Sequence, residues 1–183
     1  INNFLMDSVD DEEFVDELMD LSLETAIGFA QAQVRAGADT IGIGDAVASL
    51  FSPAMYERHI LPKEEKLCES IRQAGAYVKL HICGNITHLL PGIARLPIDI
   101  IDVDHMVDLE KVRKTLPDHI VITGNIDPVK GVMQGTPAAI RDQIIDDYHM
   151  VGNPFMVNAG CEIPSQTPPE NLHALCKPIP YEP

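Results

Sequence analysis

Basic residues are scarce in this sequence: 13 Lys and Arg stand against 28 Asp and Glu in 183 residues, a formal net charge of −15. A field of that sign repels phosphate backbones and anionic headgroups, so no nucleic acid partner is expected. No apolar run approaches the roughly 18 residues a membrane-crossing helix requires, and no membrane partner is expected either. The start of the chain lacks the basic residues and apolar stretch of a secretory signal, which makes the expected location cytoplasmic. Cysteine is sparse too. Four thiols, Cys68, Cys83, Cys161 and Cys176, are too few to staple a scaffold of this length, and in a reducing compartment clustered Cys and His point to metal binding or catalysis. Position 1 carries Ile1 where a Met would begin a nascent chain, so a processed or truncated product is expected.

What is present is a globular composition, 45% hydrophobic and 22% charged, which excludes disorder. Its length fits a single domain over 1–183. Nine acidic residues from Asp7 to Glu24 precede the first basic residue, Arg35. Between them Phe14, Leu18, Leu21, Thr25, Ile27 and Ala30 recur at helical spacing, predicting an amphipathic helix with a solvated acidic face. The chain then alternates. Strands are expected over 38–43, 76–82, 98–103, 119–123 and 154–158, separated by helices. Ser52 with Pro53, Thr136 with Pro137 and Thr167 with Pro168 mark helix starts. A further helix is expected over 109–115. Short apolar strands alternating with helices predict an α/β protein with a parallel sheet. Two architectures remain open on pattern alone: a doubly wound five-stranded sheet, or the C-terminal five βα units of a (β/α)8 TIM barrel. An open sheet leaves edges that absent residues or another chain must cover, a homo-oligomeric neighbour included.

Chemistry-bearing side chains gather where strands end. His81 and Cys83, two apart, leave the same face of the second strand, and Cys161 follows the fifth on the same edge of any parallel sheet. His, Cys and Cys suit Zn2+, and three protein donors leave a fourth corner for substrate. The alternatives are reduced cysteines packed at strand ends, or redox chemistry. Cys68, in register with Leu61, Leu67 and Ile71, reads as a small core residue, and Cys176 as packing in the last helix. Asp45 ends the first strand as a pocket residue or a turn and helix cap. Asp102 and Asp104 beside His105 read as an acidic loop solvated at the sheet's mouth, with proton handling as the alternative. Asn125 and Asp127 follow the fourth strand, either taking part directly or forming an Asp-Pro turn. Glu162 reads as a surface carboxylate or a transient fourth ligand. His59, His88, His119, His149 and His173 read as structural.

Asp45 in GIGDAVASLFSP, His81 to Asn85 (HICGN), Gly124 to Pro128 (GNIDP), Asn158 to Pro164 (NAGCEIP) and Thr167 to Leu172 (TPPENL) together resemble the uroporphyrinogen decarboxylase superfamily. The closer likeness is to its zinc-dependent methylcobamide:thiol methyltransferases of the coenzyme M type, in order from about Phe14 to Leu175. The resemblance implies the C-terminal part of a (β/α)8 barrel, with zinc held by His81, Cys83 and Cys161. It implies a methylcobamide as methyl donor, carried by a corrinoid protein, and a small thiol such as coenzyme M as acceptor. Asp45 and Asn125 are the catalytic candidates within it. The superfamily's tetrapyrrole decarboxylases resemble this chain at GNIDP and lack that metal motif. They call for a basic, carboxylate-binding pocket, and Lys79 is the one basic residue close to a strand terminus. A non-catalytic truncated member is the third reading.

Overall fold

The computed structural model describes residues 2–179. Two helices come first, α1 (Asn2–Asp10) and α2 (Glu12–Arg35), divided at Asp11, whose carboxylate accepts the Phe14 amide and caps α2. Strands and helices then alternate: β1 (Thr40–Asp45), α3 (Pro53–Met55), α4 (Leu61–Ala74), β2 (Tyr77–Ile82), α5 (Leu90–Ile93), β3 (Ile100–Val103), α6 (Leu109–Thr115), β4 (Val121–Thr123), α7 (Pro137–Val151), β5 (Phe155–Met156) and α8 (Pro169–Cys176). Ser52 accepts the Met55 amide to start α3, which continues through a π-helical stretch, Tyr56–Ile60, into α4. Thr136 caps α7 in the same way. The last helix starts one residue later than its sequence suggests. Thr167 donates its hydroxyl to the Pro164 carbonyl at 2.7 Å and closes the turn before it, leaving Pro168 at the cap position and Pro169 at the first turn.

All four strand pairs are parallel, and the spatial order β1-β2-β3-β4-β5 follows the chain. A doubly wound sheet reverses direction at a switch point, whereas a (β/α)8 barrel adds each strand beside the last. Sequential order without reversal is therefore an arc of barrel, five βα units long. Val78, Leu80, Ile82, Ile101, Val103 and Ile122 are fully buried and form one cluster with Cys68 and Ile71 of α4, Ile93 of α5 and Val112 of α6. Alternation puts Lys79, His81 and Asp102 on the opposite, concave face.

The first long helix forms as its periodicity requires but buries a different stripe. Val15, Leu23 and Ala30 are inside, while Phe14, Leu18 and Leu21 are exposed. Glu12, Asp16 and Asp20, four apart, meet the cations that follow β1: Glu12 pairs with Arg58 at 2.6 Å, and Asp20 with Lys63 at 2.6 Å. Asp16 lies 3.3 Å from His59 and 3.8 Å from Lys63. Part of the acidic face thus turns toward the next helix, rotating the apolar stripe outward. Cys176 likewise departs from expectation. It is exposed at the end of α8 and packs in no core, whereas Cys68 is buried as expected, with its thiol pushed up to about 12 by burial and by the Glu64 charge.

Candidate metal centre

His81 occupies the next-to-last position of β2, aligned with Gly44 on one side and Asp102 on the other. Its Nδ1 lies 3.0 Å from the Asp102 carbonyl oxygen. A carbonyl only accepts, so Nδ1 carries the proton and Nε2 presents a lone pair. Cys83 follows directly, its amide donating to the Asp45 carbonyl at 2.9 Å and prolonging the β1–β2 ladder by one bond. Gly84, at φ +85, turns the chain away, and its amide donates to Asp104 Oδ2 at 2.9 Å. Nε2 of His81 and Sγ of Cys83 end 3.3 Å apart.

Cys161 arrives from the far end of the arc. The β4–β5 ladder lapses after Met156 and resumes as a bridge between Ile126 and Ala159. Gly160 then donates to the Ile126 carbonyl at 2.8 Å. Sγ of Cys161 comes to 3.9 Å from Sγ of Cys83, and the three donor atoms of His81, Cys83 and Cys161 lie within 4.8 Å of one another. A tetrahedral zinc ion bound by two sulfurs and one nitrogen sets its sulfurs about 3.8 Å apart and each sulfur about 3.6 Å from the nitrogen. The two distances of Cys83 Sγ, 3.3 Å to the imidazole and 3.9 Å to Cys161, lie close to those values, and soft sulfur with imidazole is the donor chemistry zinc favours. No fourth His, Cys, Asp or Glu among the described residues joins the group. Burial, then the hydrogen bond and charge of Cys161, push the Cys83 thiol up to about 11. Such a thiol stays protonated near neutrality unless a cation stabilises its thiolate.

The other candidates serve the backbone around this point. Asp45 Oδ1 accepts the amides of Val47 and Ala48 at 2.7 and 2.8 Å, a turn cap, and lines a mostly apolar cavity of about 330 Å³ with Phe51, Lys63 and Glu64. Asn125 donates through Nδ2 to the carbonyls of Asp104 and Val107 at 3.2 and 2.6 Å. Asp127 caps the π-helical turn Pro128–Met133, and the amides of Lys130 and Val129 hold its carboxyl below the usual range. With His105 and Lys130, Asn125 and Asp127 surround a separate cavity of about 350 Å³. Glu162 is exposed and lies outside the donor group.

Asp102 and Asp104 are corrected by the structure. Both are buried, at 7% and 5% exposure, and neither belongs to a solvated loop. Asp104 is consumed by the amides of Gly84 and Met106 and by His105 Nδ1 at 2.8 Å. Asp102 pairs with Lys79 at 2.7 Å and accepts Nδ2 of Asn158 on both oxygens at 3.1 Å. The sequence signal for this network was strand register: alternation puts Lys79 and His81 on one face, and a parallel neighbour brings Asp102 beside them.

A family model described as uroporphyrinogen decarboxylase (URO-D) matches residues 1–179. The chain belongs to the uroporphyrinogen decarboxylase family. Among its relatives, the methylcobamide:CoM methyltransferase MtbA of Methanosarcina mazei is 34% identical over 169 residues, covering 90% of this chain and 48% of that protein. MtaA of Methanosarcina barkeri, also a methylcobamide:CoM methyltransferase, is 29% identical, covering 96% of this chain and 51% of its own. A uroporphyrinogen decarboxylase of Synechococcus sp. (strain CC9902) is 32% identical over 162 residues, covering 87% of this chain and 45% of its own. A solved methyltransferase from Methanosarcina mazei superposes with TM-score 0.86 at 25% identity, over 95% of this chain and 51% of that one. This member of the family therefore spans about half the length of the curated relatives it matches.

Proposed function

We propose that this family member takes part in zinc-dependent transfer of a methyl group from a methylated corrinoid, held by a corrinoid protein, to a small thiol such as coenzyme M. The observation that carries the reading is the meeting of His81, Cys83 and Cys161 at one point, with donor spacing suited to zinc. When bound there, zinc supplies the acidity that removes the proton from an incoming thiol near neutral pH. The chain's own residues do the rest. Two thiolates and a neutral imidazole cancel the charge of a divalent cation, which leaves an added sulfur electron-rich and nucleophilic. Asp102, through its carbonyl, keeps His81 in the tautomer that can donate. Gly42 and Gly44, beside Lys79 and His81 in the ladder, add no side chain next to the imidazole.

Decarboxylation of a tetrapyrrole, the activity named for several relatives, is the weaker reading. A polycarboxylate substrate calls for free cations on the concave face. Lys79 is the one basic residue in the five strands, and Asp102 already neutralises it.

Metal analysis of the purified chain and of Cys83→Ala tests the ligand set: about one zinc per chain in the parent and little in the variant is expected, and full retention in Cys83→Ala would contradict it. The zinc-loaded chain, given methylcobalamin and coenzyme M, is expected to replace the methylcobalamin spectrum with that of the reduced corrinoid. A spectrum unchanged with every thiol offered would contradict the reaction.

A further inference from the structure

We infer that Asp102 is a positioning residue: it joins the two chain segments that carry the metal donors, with Lys79 as the counter-charge that allows it to stand between them. The inference rests on the zinc reading proposed above. His81 and Cys83 leave β2, whereas Cys161 follows β5, two strands beyond β3 in the arc. Asp102 sits on β3 directly beside His81 and reaches both sides. Its backbone carbonyl accepts from His81 Nδ1 at 3.0 Å, and its carboxylate accepts from Asn158, three residues before Cys161.

That side-chain bond falls where the backbone gives no support. β5 is two residues long, and its ladder is broken between Met156 and the Ile126–Ala159 bridge. Asn158 lies in the gap. A carboxylate, with acceptor sites on both oxygens, can hold the Asn158 amide and an ammonium together, which an amide or hydroxyl in its place could not do as fully. Buried without a cation it would be strongly unfavourable; Lys79 Nζ at 2.7 Å removes that difficulty. Asp102 thus ties β2, through His81 and Lys79, to the segment that leads into Cys161, alongside the Ile126–Ala159 bridge and the Gly160 hydrogen bond to Ile126.

An ion pair that only stabilised the sheet would affect melting of the metal-free chain and nothing else. A positioning residue also affects the metal. Zinc affinity of the 183-residue chain is measured by competition with a chromophoric chelator, together with the thiolate charge-transfer and d–d bands of the cobalt(II)-loaded form. Asp102→Ala is expected to weaken zinc binding about ten- to hundredfold and to shift the cobalt bands. The double variant Lys79→Met with Asp102→Asn, which keeps an acceptor for Asn158 and leaves no charge alone, is expected to return close to the parent in both. Parent-like zinc affinity and cobalt bands in Asp102→Ala, with only a lower melting temperature, would overturn the inference. Should Asp102→Ala fail to fold, Asn158→Ala decides, since it spares the ion pair: a tenfold or larger loss is expected, and unchanged affinity overturns it. Failure of the zinc reading itself looks different, because the parent would then take up no zinc or Cys83→Ala would keep it.

Discussion

Gly160 determines where Cys161 can stand. A Cβ at this position would run into the backbone nitrogen of His105 and lie 3.1 Å from the Asn125 carbonyl oxygen and the Asp104 carbonyl carbon. All three are backbone, so none can swing aside as a side chain would. Gly160→Ala is therefore expected to displace the Cys161 segment and weaken zinc binding by about tenfold or more, read by chelator competition. Unchanged affinity would show that the segment yields at no cost. At this scale the meeting of the three proposed donors was legible in the sequence, because His81 and Cys83 share a strand end and Cys161 follows another. The groups that hold them were less so. Asp102 looks like any acidic residue at a strand end until Lys79, two residues before His81, and Asn158, from beyond β5, are placed against it. Asp45 and Asn125 were found as members of motifs; Asp45 Oδ1 and Asn125 Nδ2 bond backbone groups of neighbouring turns, and each residue also lines a cavity.

The helix that follows β1 carries a buried carboxyl group that nothing in its periodicity announces. Tyr56, in the π-helical stretch, donates its hydroxyl to Glu64 Oε2 at 2.5 Å, while Oε1 is buried without a partner. Burial raises the Glu64 carboxyl from 4.5 to about 7, opposed by the Tyr56 hydrogen bond and aided by the Asp45 charge. Between those two values the folded chain keeps a proton that the unfolded chain has released. The resulting stability is full below pH 4.5 and is lost as pH rises through about 7. The whole effect is on the order of 3 kcal/mol at most. Glu64→Gln is expected to flatten the change in urea midpoint between pH 5 and pH 8, and a slope equal to the parent's would contradict this origin. Helix starts at Ser52 and Thr136 were legible, since a hydroxyl before proline has few other uses. The face of α2 was not. Its hydrophobic spacing allows more than one stripe, and the choice was made by Arg58 and Lys63, which draw Glu12, Asp16 and Asp20 toward the next helix.

Across the whole molecule, alternation of strand and helix foretold an all-parallel α/β sheet but left two architectures open. Periodicity reports which face of a strand is buried and says nothing of which strand lies beside it. The ladder supplied the answer: each strand adds next to the one before, as in a barrel. That curvature brings the ends of β2 and β5, separated by two intervening strands, close enough for one cation to be held by both. Zinc gripped by His81, Cys83 and Cys161, as proposed, would therefore depend on the arc as much as on those residues. Zinc K-edge absorption on the metal-loaded 183-residue chain tests it most directly. Two sulfurs at about 2.3 Å with at least one nitrogen at about 2.0–2.1 Å are expected, falling to a single sulfur in Cys161→Ser. A first shell made only of nitrogen and oxygen, or two sulfurs retained in Cys161→Ser, would contradict it.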